Sequence, residues 1–326
     1  MKRRKLSFAS TGVLIVAVLA SLQIQAPTHI PHAPFSRFGG LASGPSADAF
    51  GRSGAVKLRF ALPGDSIDYP LQVAGNPATL TYDWVSPAGA IVGDSAQPLV
   101  GSRVQAPENP GFYRLALRSG STRQVMAEPV VAVQVPFARK LGGFLNGYQI
   151  GTYVAERLGH RGSTPDGFLE VYPQDVGLAV SEHFKLGEFV THDDQGDVWP
   201  KYVALNPRLL DKLELVVAEV SRQRGDSQHL AVGVHSGFRT PSHNRLTPRS
   251  ARDSRHQYGD AADVAMDANG DGRIDLTDEI IVARAVEDVE DVHPELVGGM
   301  GLYTSRRYKT PYVHIDARGK KSRWHG

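Results

Sequence analysis

Cysteine is absent from this chain of 326 residues. Its absence excludes disulfides, thiolate metal ligands and a cysteine nucleophile, so any metal must be held by histidine, carboxylate or carbonyl oxygen. An excess of one charge sign is also missing: 36 basic and 34 acidic residues leave a formal charge of +2. Lys2, Arg3, Arg4 and Lys5 are the only charges in residues 1–26, and removing that segment takes the chain from +2 to −2. A near-neutral chain argues against nucleic acid as the main partner. What is present is ordinary for a globular protein: 41% hydrophobic and 21% charged residues, enough to build a sizeable core in one or two domains.

The four leading positives are followed by a mostly apolar stretch, Leu6–Ile24, and by the small residues Ala20, Ser21 and Ala26. This is the layout of a secretory signal over residues 1–26. Pro27 is unfavourable for cleavage after Ala26, so an uncleaved membrane anchor is the alternative. Residues 27–50 are rich in Pro, Gly and Ser, keep no apolar period, and read as a flexible linker.

From Ala55 to Phe137 short alternating runs take over, such as Val56-Lys57-Leu58-Arg59-Phe60 and Leu80-Thr81-Tyr82-Asp83-Trp84. Turn residues separate them: Pro63-Gly64-Asp65, Pro87-Ala88-Gly89 and Asn109-Pro110-Gly111. The pattern predicts an antiparallel β-sandwich over 51–137. Pro110-Gly111-Phe112-Tyr113-Arg114-Leu115 resembles the late-strand signature of immunoglobulin-like domains, with Trp84 as the buried aromatic of an earlier strand. No residue here converges on chemistry, so a spacer that positions the rest is preferred over a wall-binding module. Residues 138–180 form a connector whose Gly and aromatic content predicts an ordered wrap.

A second domain is expected over 181–326. Asn206 and Pro207 mark a helix start, and Leu209, Leu210, Leu213, Val216, Val217 and Val220 recur at helical spacing until Gly225-Asp226. Leu230–Val234 reads as a buried strand that delivers His235-Ser236-Gly237-Phe238-Arg239. His256 and Asp263 stand seven apart with Gly259, Ala261 and Ala262 between them, and His314 lies on a predicted strand, Tyr312–Asp316. Two imidazoles and one carboxylate would leave a zinc position open to water, as catalytic sites require. Taken alone the trio is weak, because a single histidine is more often structural and an Asp near Gly more often a turn. Arg239 offers a fixed fork of donors suited to a carboxylate or a developing oxyanion.

S-G-F-R-T-P-x-x-N from Ser236, S-R-H-x-x-G-x-A-x-D from Ser254 and V-H-I-D from Val313 occur in this order. Together they resemble the zinc D-Ala-D-Ala carboxypeptidase family, within the larger group of lysostaphin-type peptidases and the hedgehog fold, and most of all its periplasmic murein endopeptidase branch. The resemblance covers roughly residues 181–326. It implies an α+β fold with a central antiparallel sheet, zinc ligands at His256, Asp263 and His314, substrate or carbonyl contact by Arg239, and a substrate contact by Ser254. Some relatives carry a Glu three residues before the last zinc histidine, where this chain has Pro311. Asp316 then becomes the candidate catalytic carboxylate, either as the base or as the group that holds an imidazole; His235 and His243 have weaker claims.

Asp267, Asn269, Asp271, Gly272, Arg273, Asp275 and Asp278 fit positions 1, 3, 5, 6, 7, 9 and 12 of an EF-hand loop. Asp replaces the usual Glu at the last position, and the loop resembles those of dockerins. It predicts a calcium site inside an insertion at about 266–297, between the first two zinc ligands and the third. Its expected role is to brace the zinc site from behind.

The expectation is therefore a multidomain exported protein, periplasmic or envelope-associated. An immunoglobulin-like sandwich would precede a zinc peptidase domain acting on peptidoglycan stem peptides or cross-links, with Zn2+ and Ca2+ as cofactors. Two other classes stay open: a non-catalytic wall-binding or signalling protein that keeps the metal site, and a calcium-dependent adhesin whose working part is the sandwich.

Overall fold

The computed structural model describes residues 51–69, 80–100, 103–159, 163–225, 230–304 and 310–326. The expected export segment and linker, residues 1–50, lie outside the described residues, as does Asp226. No helix among the described residues is long and apolar enough to cross a membrane.

The architecture is mixed α+β with several sheets. The N-terminal part contains β1 (Leu58–Ala61), β2 (Ser66–Asp68), β3 (Thr81–Val85), β4 (Ile91–Pro98), β5 (Arg103–Gln105), β6 (Gly111–Ser119), β7 (Thr122–Val125) and β8 (Val130–Val133). One six-stranded sheet runs β1-β8-β6-β3-β4, with β7 paired to β6. Its pairings are antiparallel except β1–β8. Among the described residues the facing layer is the β2–β5 ribbon, not a second sheet of comparable size. Trp84 is buried against that ribbon and donates from Nε1 to the Gln105 carbonyl at 2.7 Å. Tyr113 Oη donates to the Asn109 carbonyl at 3.0 Å, pinning the turn that precedes β6.

Side-chain alternation explains how this sheet is used on both faces. Val131 and Val133 of β8 join the core around Trp84, whereas Val130 and Ala132 join the core of the C-terminal part. β6 divides likewise, with Tyr113, Leu115 and Leu117 on one side and Phe112 on the other. A strand whose successive residues point to opposite faces can bury all four only if both faces are covered. The sheet is thus packed directly onto the C-terminal part, and one apolar cluster runs from Val56 to Ile315.

Between them lie β9 (Val135–Pro136), β10 (Phe144–Leu145), β11 (Tyr148–Gln149), α1 (Val154–Arg157), β12 (Gly167–Val171) and β13 (Lys201–Val203). The small sheet β13-β12-β9 ties the two parts together. Tyr148, Ile150, Tyr153 and Phe168 are fully buried in the shared cluster.

The C-terminal part holds α2 (Pro207–Arg224), β14 (Val232–Ser236), α3 (Pro241–Leu246), β15 (Ala261–Met266), α4 (Leu276–Val292), β16 (Gly299–Tyr303), β17 (Tyr312–Asp316) and β18 (Ser322–His325). α2 begins and ends where its caps dictate. Asn206 accepts from the Arg208 amide at 2.9 Å, and Gly225 closes the helix at φ +70°. Its apolar stripe is buried, each side chain contributing about 1.5–3 kcal/mol. The sheet order is β14-β15-β17-β16-β18, antiparallel except β16–β18. α2 and α4 pack on each other, and α4 also packs against β15, β16 and β17. Lys212 of α2 is fully buried and reaches Glu290 Oε1 of α4 at 2.6 Å and the Asp316 carbonyl of β17 at 2.7 Å.

Candidate metal centre

The β15–β17 register sets Asp263 directly opposite His314, so both side chains rise from the same face of the sheet. His256 arrives from the turn at 255–258 just before β15. Gly259 closes that turn at φ +70°, and a Cβ there would sit 2.2 Å from the Ala204 carbonyl oxygen. Only glycine fits so close a backbone approach.

His256 Nε2, His314 Nδ1 and Asp263 Oδ1 form a triangle with sides of 3.1, 2.9 and 3.2 Å. Among the described residues these three are the one group of His and acidic side chains whose ligand atoms all lie within 4.8 Å of one another. Ligands about 2.0–2.1 Å from a tetrahedral zinc lie about 3.3 Å apart, so the donor set and its spacing fit that ion. The remaining ring nitrogens are held too. His256 Nδ1 donates to the Gly237 carbonyl at 2.7 Å, which leaves Nε2 as the free lone pair. His314 Nε2 faces Asp316 Oδ2 at 3.2 Å, which frees Nδ1.

Burial and charge act on this trio in opposite senses. Burial, aided by the nearby charges of Arg239 and His314, outweighs the pull of Asp263 and holds the His256 imidazole below its ordinary pKa, which favours the neutral ligand form. Burial also disfavours protonation of His314, but hydrogen bonds to Asp263 and Asp316 outweigh it and raise that imidazole. Asp263 is buried, yet the two imidazoles beside it keep its carboxyl well below the usual range.

Arg239 reaches the same carboxylate from its other side. Its Nη2 pairs with Asp263 Oδ2 and its Nε donates to Ser236 Oγ at 2.7 Å. Arg239 and Ser254 both line a cleft of ≈ 590 Å³ that opens over the trio. The structure thus brings together His256, Asp263, His314, Arg239 and Ser254.

Of the two roles expected for Asp316, base or holder of an imidazole, its surroundings match the second. It is fully buried and does not line the cleft. It accepts from the Gly299 amide at 2.7 Å, the Arg318 amide at 3.1 Å and the Arg318 guanidinium, besides facing His314. Burial opposes its charge, but these donors outweigh it and hold the carboxyl far below the ordinary range. It is the group that orients His314. His235 is exposed beside Tyr312, and neither it nor His243 lines the cleft. Among the described residues, the carboxylates lining the cleft are Asp263 and Asp253, the latter accepting from Tyr258 Oη.

Four contributors were not anticipated. Trp324 of β18 lies with its ring 5.0 Å from His314. Gly301, paired with both His314 and Trp324, makes room, since a Cβ there would fall 2.3 Å from the indole nitrogen. Arg318 anchors Asp316, and Tyr303 stacks on Tyr312 at 4.6 Å along the cleft. The glycine in Gly299-Met300-Gly301 was the one local hint of a close approach.

The acidic loop folds on itself. Asp267 accepts from the amides of Gly270, Asp271 and Gly272, Asn269 Oδ1 from Asp271, and Asp271 Oδ1 from Arg273. Asp275 caps α4 by accepting from Thr277, and the buried Asp278 accepts from the amides of Asn269 and Asp275. Next to it, Glu279 is buried with neither carboxylate oxygen hydrogen-bonded among the described residues, and burial pushes its carboxyl up to about 7.

A family model for Peptidase M15 matches residues 192–283. That span carries Arg239, Ser254, His256 and Asp263 and ends before His314. The match supports a hydrolase of the metallopeptidase type, and the His-Asp-His cluster supplies the metal-binding set such an enzyme needs. No curated protein and no solved structure matched the chain.

Proposed function

We propose that this chain is an exported zinc peptidase that hydrolyses peptidoglycan peptide bonds involving D-amino acids, as a D,D-carboxypeptidase or a murein endopeptidase. The observation that carries the reading is the buried His256–Asp263–His314 triangle at an open cleft, with Arg239 on the same carboxylate. Zinc, when bound by the three, would polarise the scissile carbonyl and lower the pKa of water toward 7. The chain does the rest. Gly237 and Asp316 fix the imidazole tautomers, and Arg239 presents donors to the carboxylate or oxyanion of the substrate. Asp253, the other carboxylate lining the cleft, is our candidate to exchange a proton with water there. The N-terminal sheet is read as an immunoglobulin-like spacer that steadies the peptidase part.

Incubating zinc-loaded protein with defined muropeptides and following product masses tests the reading. Cleavage next to a D-residue is expected, with kcat reduced about 100-fold in Asp253→Asn. Bound zinc without any cleavage would favour the non-catalytic alternative, which the substitution of Pro311 for an acid keeps in view.

We also assign calcium to the loop at Asp267, Asn269, Asp271, Arg273, Asp275 and Asp278, where the side-chain oxygens and the Arg273 carbonyl suit a hard cation. Glu279 follows Asp278 in α4, buried and without a hydrogen-bond partner among the described residues. Because its folded pKa is raised to about 7, the metal-free fold loses stability as pH climbs from the unfolded value near 4.5 to about 7. Calcium bound by the ionised loop would add stability against that loss. At free calcium about 100 times Kd the gain is about 2.7 kcal/mol, and melting curves should show it larger at pH 8 than at pH 5.5. Melting that ignores calcium at both pH values would remove the assignment.

A further inference from the structure

Four arginines line the metal cleft: Arg239, Arg249, Arg255 and Arg318. Three are committed to buried carboxylates. Arg239 pairs with Asp263, Arg255 with Asp260 and Arg318 with Asp316. Arg249 is different. Among the described residues no acid lies within ion-pair distance of it, and its side chain makes no hydrogen bond.

Its backbone is also unusual. Arg249 has φ +60°, a left-handed conformation shared among the described non-glycine residues only with Ala96 and Asn146, neither of which lines this cleft. A side chain with a Cβ is disfavoured there unless the surroundings hold it. They do so on both sides. The Thr247 amide bonds the His243 carbonyl at 3.1 Å and the Ser250 amide bonds Thr247 at 3.3 Å. Ser250 Oγ reaches the Asn244 carbonyl at 2.7 Å, and Asn244 Nδ2 the Ala251 carbonyl at 2.9 Å. The short segment is therefore tied back to α3, with the guanidinium as its unattached group. The cleft surface from β16, β17 and β18 is aromatic, formed by Tyr303, Tyr312 and Trp324.

We propose that Arg249 is a specificity-determining residue that receives a carboxylate of the substrate, while the aromatic surface takes its apolar body. The inference rests on the peptidase reading above and refines its substrate to an anionic peptide. A guanidinium fork with no internal acid matches a carboxylate bidentately. The other three each pair with an acid of the protein, so that only part of the Arg239 fork is left for the substrate. The carboxylate could be the C-terminus of a stem peptide, as a carboxypeptidase would require, or a side-chain acid within it.

The test uses zinc-loaded full-length protein, wild type and Arg249→Ala, with three forms of one D-Ala-terminated stem pentapeptide: free acid, C-terminal amide, and side-chain amide. Binding is read from tryptophan fluorescence or calorimetry, and cleavage from product mass. Arg249→Ala is expected to weaken binding and kcat/KM for the free acid by roughly 10- to 100-fold, with Arg249→Lys intermediate. The amidated form that wild type already binds poorly, and on which the variant shows no further loss, identifies which carboxylate Arg249 receives. Equal losses on all three peptides, no loss on any, or no binding of any peptide by wild type overturns the proposal. If wild type binds the free acid through Arg249 but cleaves none, the carboxylate site stands and the peptidase reading falls.

Discussion

His256→Ala is expected to abolish peptide hydrolysis, by at least about 10³-fold in kcat/KM, and to leave the protein without stoichiometric zinc. The imidazole is 2% exposed and has no second purpose in the structure: one nitrogen is tied to Gly237 and the other completes the triangle. With alanine the centre keeps one imidazole and one carboxylate, too few for a catalytic zinc. Asp263 would still be paired with Arg239, so the fold is expected to survive. The control is built into the stability measurement. Metal that binds only the native state raises its melting temperature, so zinc should stabilise wild type and not the variant. Metal-free wild type and metal-free variant should differ far less than the two zinc-loaded proteins. Hydrolysis that persisted in His256→Ala would mean that chemistry occurs elsewhere.

The sequence made parts of this centre legible for identifiable reasons. His314 and Asp316 are two residues apart on a strand, which places them on one face and makes their contact foreseeable. The α2 helix was legible because period, N-cap and C-terminal glycine all agree. Which of two roles Asp316 plays was not, because that depends on Arg318 curling back and on the Gly299 amide from a neighbouring strand. Trp324 escaped notice because β18 joins the sheet in parallel at its edge, and nothing local in Ser322–His325 indicates a partner at Gly301. The unbroken apolar run Val130–Val133 is the trace of a strand covered on both faces, but periodicity does not say by what. Its second cover is the C-terminal core, so the N-terminal sheet and the metal-binding part share apolar packing.

The back of the centre is a chain of buried charges. Glu290 of α4 holds Lys212 and Arg323, Lys212 holds the Asp316 carbonyl, and the Asp316 carboxylate holds His314. The helix that follows the acidic loop is thereby connected to His314 through hydrogen bonds of 2.6–3.2 Å. This contiguity gives the acidic loop a physical route to brace the centre, with α4 as the shared element.

Asp316→Asn probes the last link. The substitution keeps the shape of the side chain but removes the charge that Arg318 and His314 both face. An amide can turn its NH₂ toward His314 Nε2, which would move the ring proton to Nδ1 and block the lone pair that should face the metal. Zinc affinity is expected to fall about 10- to 100-fold. The metal-free protein should also lose on the order of 3 kcal/mol, because Arg318 is left partly buried without its counter-charge. A chelator competition gives the zinc Kd, denaturant unfolding gives the stability, and turnover at saturating zinc separates positioning from proton transfer. For a positioning residue, high zinc should restore most of kcat. Unchanged zinc affinity combined with a lost kcat and a displaced pH–rate profile would return Asp316 to the role of proton carrier. That result is not expected from a carboxylate so deeply buried, with both oxygens engaged by donors and its pKa held far below neutrality.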